Sequence, residues 1–126
     1  MALPPEHRLR GHRAFERLYR RGRRYQGEWL MLRLMHAEPA LLSREERQHG
    51  ASPWRCGIVV SSKVHKRAVR RNRLRRLLQE ELRSRPPQPG SPRWLLLSLR
   101  PGSAEAPEAR LLGECRDLLH QAGLLP

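Results

Sequence analysis

Cysteine, lysine, aspartate and aromatic residues are all scarce in this chain of 126 residues. The only cysteines are Cys56 and Cys115, far apart in sequence. A small secreted scaffold usually carries four to eight, so a disulfide framework is excluded and a reducing, cytoplasmic location is expected. No apolar run approaches the ~18–20 residues of a membrane-spanning helix. Residues 1–13 contain Pro4, Pro5, Glu6 and His7 and lack the apolar stretch of a signal peptide, so no membrane partner is expected. Aromatic residues make up 5% and hydrophobic residues 38%, enough for one modest core, and a single domain over residues 1–126 is expected. The six histidines show no H-x-H or HExxH spacing, and the cysteines form no CxxC. The only aspartate, Asp117, lies two residues from Cys115, a thin basis for a metal site. A His12–His120 pair of the kind used by a metal-free ribonuclease has no lysine or general-acid motif to support it.

Positive charge is abundant. Lys plus Arg is 26 against 12 Asp plus Glu, a formal net charge of +14, and 24 of the 26 are arginine. GC-rich codons are enough to explain that Arg/Lys ratio, but not its clustering. Residues 8–24 carry +7 and residues 62–85 carry +8, while the rest of the chain sums to −1. Two concentrated basic segments are the electrostatic footprint of a polyanion, and arginine's planar fork suits phosphate. Neither segment has the broad, aromatic-flanked apolar face of a membrane-surface helix, so nucleic acid is the leading partner.

Periodicity supplies a coarse fold. Residues 11–21 read as a helix with Ala14, Phe15, Leu18 and Tyr19 on a narrow apolar stripe and Gly22 as its stop. Residues 28–36 (EWLMLRLMH) and 56–60 (CGIVV) read as strands. The polar segment 37–54 between them reads as a long loop. Residues 61–83 form the longest predicted helix, with Leu74, Leu77, Leu78 and Leu82 on one face, a cap at Ser61 or Ser62, and Pro86 and Pro87 beyond its end. Residues 86–92 (PPQPGSP) are a stiff connector, 93–99 (RWLLLSL) a central strand, and 107–119 a last amphipathic helix. Strands interleaved with helices predict an α+β protein, a two-layer sandwich with helices on one face of a small sheet.

Within the predicted helix 61–83, basic residues surround the axis from Lys63 to Arg73, a core face begins at Leu74, and the run is nearly single-signed from Lys63 to Arg76. Like charges meet at Lys66/Arg70, Arg67/Arg71 and Arg71/Arg75 four apart, and at Arg67/Arg70, Arg70/Arg73 and Arg73/Arg76 three apart. Arg76–Glu80 is the evident relief. At ~0.2–0.5 kcal/mol per exposed pair, the six cost about 1–3 kcal/mol, a strain that bound phosphates would reverse.

This segment resembles the signature helix of the bacterial ribonuclease P protein subunit family. The Arg71-Asn72-Arg73 triplet matches that family's Arg-Asn-Arg. Arg67-Ala68 matches the basic residue before an alanine upstream, and Leu74, Arg75, Arg76 and Leu77 match the hydrophobe, two basic residues and leucine downstream. Leu9-Arg10 followed by Phe15, Tyr19, Gly22, Arg23 and Arg24 resembles the family's first helix and the arginine-rich turn into its first strand. The departures are segment 37–54 and the connector 86–92.

The resemblance implies an αβββαβα order with a small mixed sheet and a left-handed crossover, like the second domain of ribosomal protein S5. It implies a non-catalytic subunit of a ribonucleoprotein endonuclease, one protein per RNA. The RNA subunit and substrate hold Mg²⁺, and the protein ligates no cofactor. The protein binds the catalytic RNA and the 5′ leader of precursor tRNA, and the enzyme releases mature tRNA with a 5′-phosphate. By this match Lys63, Lys66, Arg67, Arg70, Arg71, Arg73, Arg75 and Arg76 contact phosphates of the catalytic RNA, and Asn72 bonds a base, a sugar or a neighbouring backbone. Phe15 and Tyr19, with Trp29 and Arg33, line a cleft for the single-stranded leader, where each stacked base contributes ~1–3 kcal/mol. From spacing alone, Phe15 and Tyr19 read first as core packing; the resemblance sets the leader reading level with it, and Tyr19 is the better leader candidate because its hydroxyl prefers a wet site. Two other readings are a structural ribosomal protein and a DNA-binding factor using the basic helix. The basic residues sit inside predicted helices rather than in long tails, and no heptad run offers a dimerisation element.

Overall fold

The computed structural model describes residues 3–49 and 52–126. In chain order the elements are α1 (His12–Arg21), β1 (Arg23–Gln26), β2 (Leu30–His36), α2 (Arg44–Gln48), β3 (Trp54–Val59), α3 (Ala68–Ser84), β4 (Arg93–Leu99) and α4 (Glu108–Gln121). Short 3₁₀ turns occupy Pro5–His7, Pro39–Leu41 and Ser103–Glu105. One four-stranded sheet runs in the order β1-β2-β4-β3. The β1/β2 and β2/β4 pairs are antiparallel, and β3/β4 is parallel, with α3 as the connection between them.

Strand alternation divides the core in two. Along β4, Leu95, Leu97 and Leu99 point to the side covered by α3 and α4, where Leu74, Leu78, Leu82, Leu111, Cys115 and Leu118 pack with Leu30, Leu32 and Leu34. Trp94 and Leu96 point the other way and meet Ala14 and Leu18 of α1. The expected mixed sandwich is present, but its helices do not share one face: α3 and α4 cover one side and α1 the other. The period-2 pattern of β4 is apolar on both sides, so burial on two faces was encoded there. No helix among the described residues is long and apolar enough to cross a membrane.

Three boundaries differ from the sequence reading. The segment expected as a plain loop folds into a 3₁₀ turn and α2, and β3 already begins at Trp54. Ser43 Oγ accepts from Glu46 N–H at 3.2 Å and caps α2, a Ser-x-x-Glu capping signature. The long helix begins at Ala68 rather than Ser61, capped by neither Ser61 nor Ser62, and its N-cap residue is Arg67. Val64 is buried and its N–H bonds Ser61 O at 3.0 Å, so residues 61–64 form a turn pinned to the core. Finally, β2 starts at Leu30, leaving Glu28 and Trp29 in the preceding turn.

Candidate nucleic-acid interface

The basic run is a turn followed by a helix, and this changes its electrostatics. Lys63, Lys66 and Arg67 precede α3, so only Arg70/Arg73, Arg71/Arg75 and Arg73/Arg76 remain as like-charged neighbours on the helix. Their cost falls to about 1 kcal/mol. Arg73 is also offset by Glu108 of α4, at 2.6 Å, and Arg75 donates to Asn72 Oδ1 at 2.7 Å. Glu80, the expected relief for Arg76, pairs with Arg83 at 3.2 Å.

The cations of this segment fall into two groups. Arg71 Nη1 donates to the carbonyls of His65 at 3.0 Å and Lys66 at 2.8 Å, clamping the turn onto the first helical residues. His65 Nδ1 accepts from Arg67 N–H at 3.0 Å and steadies the same turn. Arg71, Arg73 and Arg75 are thus partly committed to the fold. The exposed side chains of Lys63, Lys66, Arg67, Arg70 and Arg76 make no hydrogen bond or ion pair with any described residue. Together they present a field of cations with no protein counter-charge, the arrangement that phosphate contacts and counterion release require. Val69 stands exposed among them.

On the other sheet face, Phe15 and Tyr19 border an open cleft along α1 with Gly11, His12 and Glu16, and Arg33 of β2 lies beside Tyr19. Phe15 is half-buried against β3, where its ring packs onto Gly57: a Cβ there would lie 2.6 Å from the ring and would displace it. Phe15 therefore lies on the sheet as the edge of the smaller core. Tyr19, one turn later, is 47% exposed. The Arg33 guanidinium sits 4.7 Å from its ring centroid. Arg33 Nη1 reaches Ser98 Oγ at 3.5 Å, while its buried Nε has no partner. An exposed ring backed by a guanidinium with spare donors is a stacking surface with a polar floor. Trp29 does not join it. That ring packs against the core on the α4 side, with the Arg110 guanidinium 5.1 Å from its centroid.

The other candidate residues separate in space. His12 lies on α1 and His120 on α4, on opposite sides of the sheet, and His12 Nε2 instead approaches Glu16 at 3.5 Å. Cys115 is buried whereas Asp117 is exposed, so the two face apart on α4. Burial pushes the Cys115 thiol up to about 12 and the Cys56 thiol higher still, so both stay protonated. Among the described residues no group of three or more His, Cys, Asp or Glu could hold a metal ion.

Sequence reasoning missed two anchors of this architecture. Glu114 of α4 accepts the N–H groups of Glu28 at 2.7 Å and of Trp29 and Leu30 at 2.8 Å, fixing the β1–β2 turn. Arg55 on β3 is buried and donates to Pro5 O at 3.2 Å, Arg8 O at 2.9 Å and Glu46 O at 2.9 Å. Burial pushes its guanidinium below the ordinary arginine range, opposed by the nearby Glu46 carboxylate. That carboxylate also accepts Arg10 N–H at 3.1 Å. A lone arginine opening an apolar strand was the available signal for this site.

A small α+β sandwich with five cations lacking a partner among the described residues on one face, and an exposed ring beside a guanidinium on the other, has the surface of a nucleic-acid-binding protein. A family model described as Ribonuclease P matches residues 3–123. The chain is 56% identical over 126 residues to the ribonuclease P protein component of Parasynechococcus marenigrum (strain WH8102), with 98% of each chain covered. It is 52% identical over 134 residues to that of Synechococcus sp. (strain WH7803), covering all of both. Its fold is similar to the ribonuclease P protein of Staphylococcus aureus (TM-score 0.75, 16% identity, 95% of this chain and 98% of that one). It is also similar to that of Thermotoga maritima (TM-score 0.71, 24% identity, 90% and 96%). The chain belongs to the ribonuclease P protein family, the protein component of the RNA–protein enzyme of tRNA 5′ processing.

Proposed function

We propose that this chain acts, as one domain, by gripping the catalytic RNA with the segment from Lys63 to Arg76 and guiding the 5′ leader of precursor tRNA through the α1 cleft. The observation that carries this reading is the set of five exposed cations, Lys63, Lys66, Arg67, Arg70 and Arg76, with no partner among the described residues. Arg71, Arg73 and Arg75 hold the turn and helix in shape and add charge to the same surface, and Asn72 orients Arg75. In the cleft, Tyr19 stacks on a leader base while Arg33 binds a phosphate or base edge beside it. Phe15 forms the cleft's inner wall, and Trp29 serves the β1–β2 turn rather than the leader.

The division of labour follows from chemistry. The protein contributes positioning and charge, while the RNA subunit and substrate hold the Mg²⁺ that activates the attacking water. The enzyme acts in the cytoplasm, with one protein bound per catalytic RNA. Reconstitution tests this reading: adding the chain to a catalytic ribonuclease P RNA at low Mg²⁺ restores 5′ processing of precursor tRNA. Failure to rescue, with tight binding to ribosomal RNA instead, would assign the chain to a ribosomal role.

A further inference from the structure

Beyond the cleft, α1 carries a second flank of a different kind. Arg13, Arg17 and Arg20 recur at helical spacing, on the side of α1 away from Phe15 and Tyr19. They line a groove of about 150 Å³ with Glu16 and Leu41. The segment that departs from the family pattern builds its far wall: Leu41 belongs to the 3₁₀ turn after β2, and Glu38 pairs with Arg17 Nη1 at 3.0 Å. Arg17 is thereby fixed in place. Arg20 is held loosely by Glu16 at 3.6 Å, and Arg13 makes no hydrogen bond or ion pair with any described residue. No aromatic ring lines the groove.

We propose that this groove is a phosphate track for the upstream part of the same single strand that enters the cleft. The inference rests on the leader reading given above and extends it. A groove with three guanidinium groups and no stacking surface fits a sugar–phosphate backbone and is indifferent to base sequence. The track and the cleft lie on two flanks of one helix. A strand leaving Tyr19 crosses the ~10–12 Å width of α1, a distance that an extended single strand covers in a few nucleotides, to reach Arg20 and Arg13. The carboxylate on the way, Glu16, already faces Arg20 and His12. The catalytic RNA is assigned to α3, on the opposite side of the sheet, so the strand lying against α1 is the nearer ligand.

The test uses reconstituted holoenzyme and precursor tRNAs with leaders from about 3 to about 15 nucleotides long. The chain carrying both Arg13→Gln and Arg20→Gln is compared with the unaltered chain. Both side chains are exposed and glutamine suits a helix, so folding is retained, as an unchanged melting temperature would verify. The shortest leader binds both holoenzymes equally. The longest binds the variant about three- to tenfold more weakly, with a salt slope lower by about 1.4. The charge-retaining pair Arg13→Lys and Arg20→Lys keeps long-leader affinity. Equal affinity and slope at every length overturns the proposal, as does weakening that ignores leader length, or weaker binding to the catalytic RNA without substrate. If Tyr19→Ala leaves long-leader binding intact in the unaltered background, the cleft reading itself fails and the track fails with it.

Discussion

Residues 8–24 and 62–85 carry +7 and +8, and each divides into cations bound to the protein and cations that face solvent, by different means. In the first segment, Arg8 Nε donates to Leu3 O at 2.7 Å, Arg17 pairs with Glu38, and the carbonyls of Pro5 and Arg8 are held by the buried Arg55. Those contacts fasten the backbone and the flanks of α1, while Arg10, Arg13, Arg21 and Arg24 make no side-chain hydrogen bond or ion pair with any described residue. In the second, among the described residues, Arg71, Arg73 and Arg75 are the basic residues between Lys63 and Arg76 whose side chains have protein partners, and the others face solvent. Net charge alone marks both segments as polyanion-facing. Hydrogen-bond partners separate the cations that build the fold from those free for RNA.

The contrast can be broken by substitution, and the largest effect is expected at Arg55. Arg55→Met removes three bonds to carbonyls and leaves the Glu46 carboxylate without its buried counter-charge. Unfolding in urea should show a loss of about 3–5 kcal/mol. A loss below ~1 kcal/mol would mean the N-terminal segment is not fastened as described. Arg71→Ala is expected to cost about 1–2 kcal/mol by the same measurement, because it frees the carbonyls of His65 and Lys66. It also weakens assembly with the catalytic RNA, so a binding loss without a stability loss would move Arg71 into the free group. Glu38→Gln breaks a half-exposed ion pair and should cost under ~1 kcal/mol. The smallest effect on stability is expected for Arg70→Ala with Arg76→Ala: a change within about 0.5 kcal/mol, since neither side chain has a partner among the described residues.

The sequence made the strands and the apolar helix faces legible, because each element's burial follows its period. The β4 run and the leucines of α3 appear where the pattern put them. The start of α3 was hidden, because a turn pinned by one buried valine, Val64, carries the same basic composition as the helix it feeds. The second face of the sheet was overlooked because α1 buries only Ala14 and Leu18, too narrow a stripe to declare which side it covers. At the site, helical spacing was enough to put Phe15 and Tyr19 on one stripe of α1, whereas the position of Arg33 beside Tyr19 depends on how β2 pairs and faces α1. Trp29 was misplaced because it precedes the strand instead of extending it. The partners of Glu114 and Arg55 were not legible because most are backbone groups some 85 and 47–50 residues away in sequence; a lone arginine in an apolar strand signals a site but names no partner.

The central claim is that the cations between Lys63 and Arg76 are free because RNA phosphates neutralise them. Its most direct test is a salt titration of the equilibrium between this chain and the catalytic RNA, with and without Lys66→Ala, Arg70→Ala and Arg76→Ala together. The variant should fold normally, and the slope of log affinity against log salt should flatten by about 2–3, close to one counterion per contact removed. A slope identical to that of the unaltered chain would contradict the account.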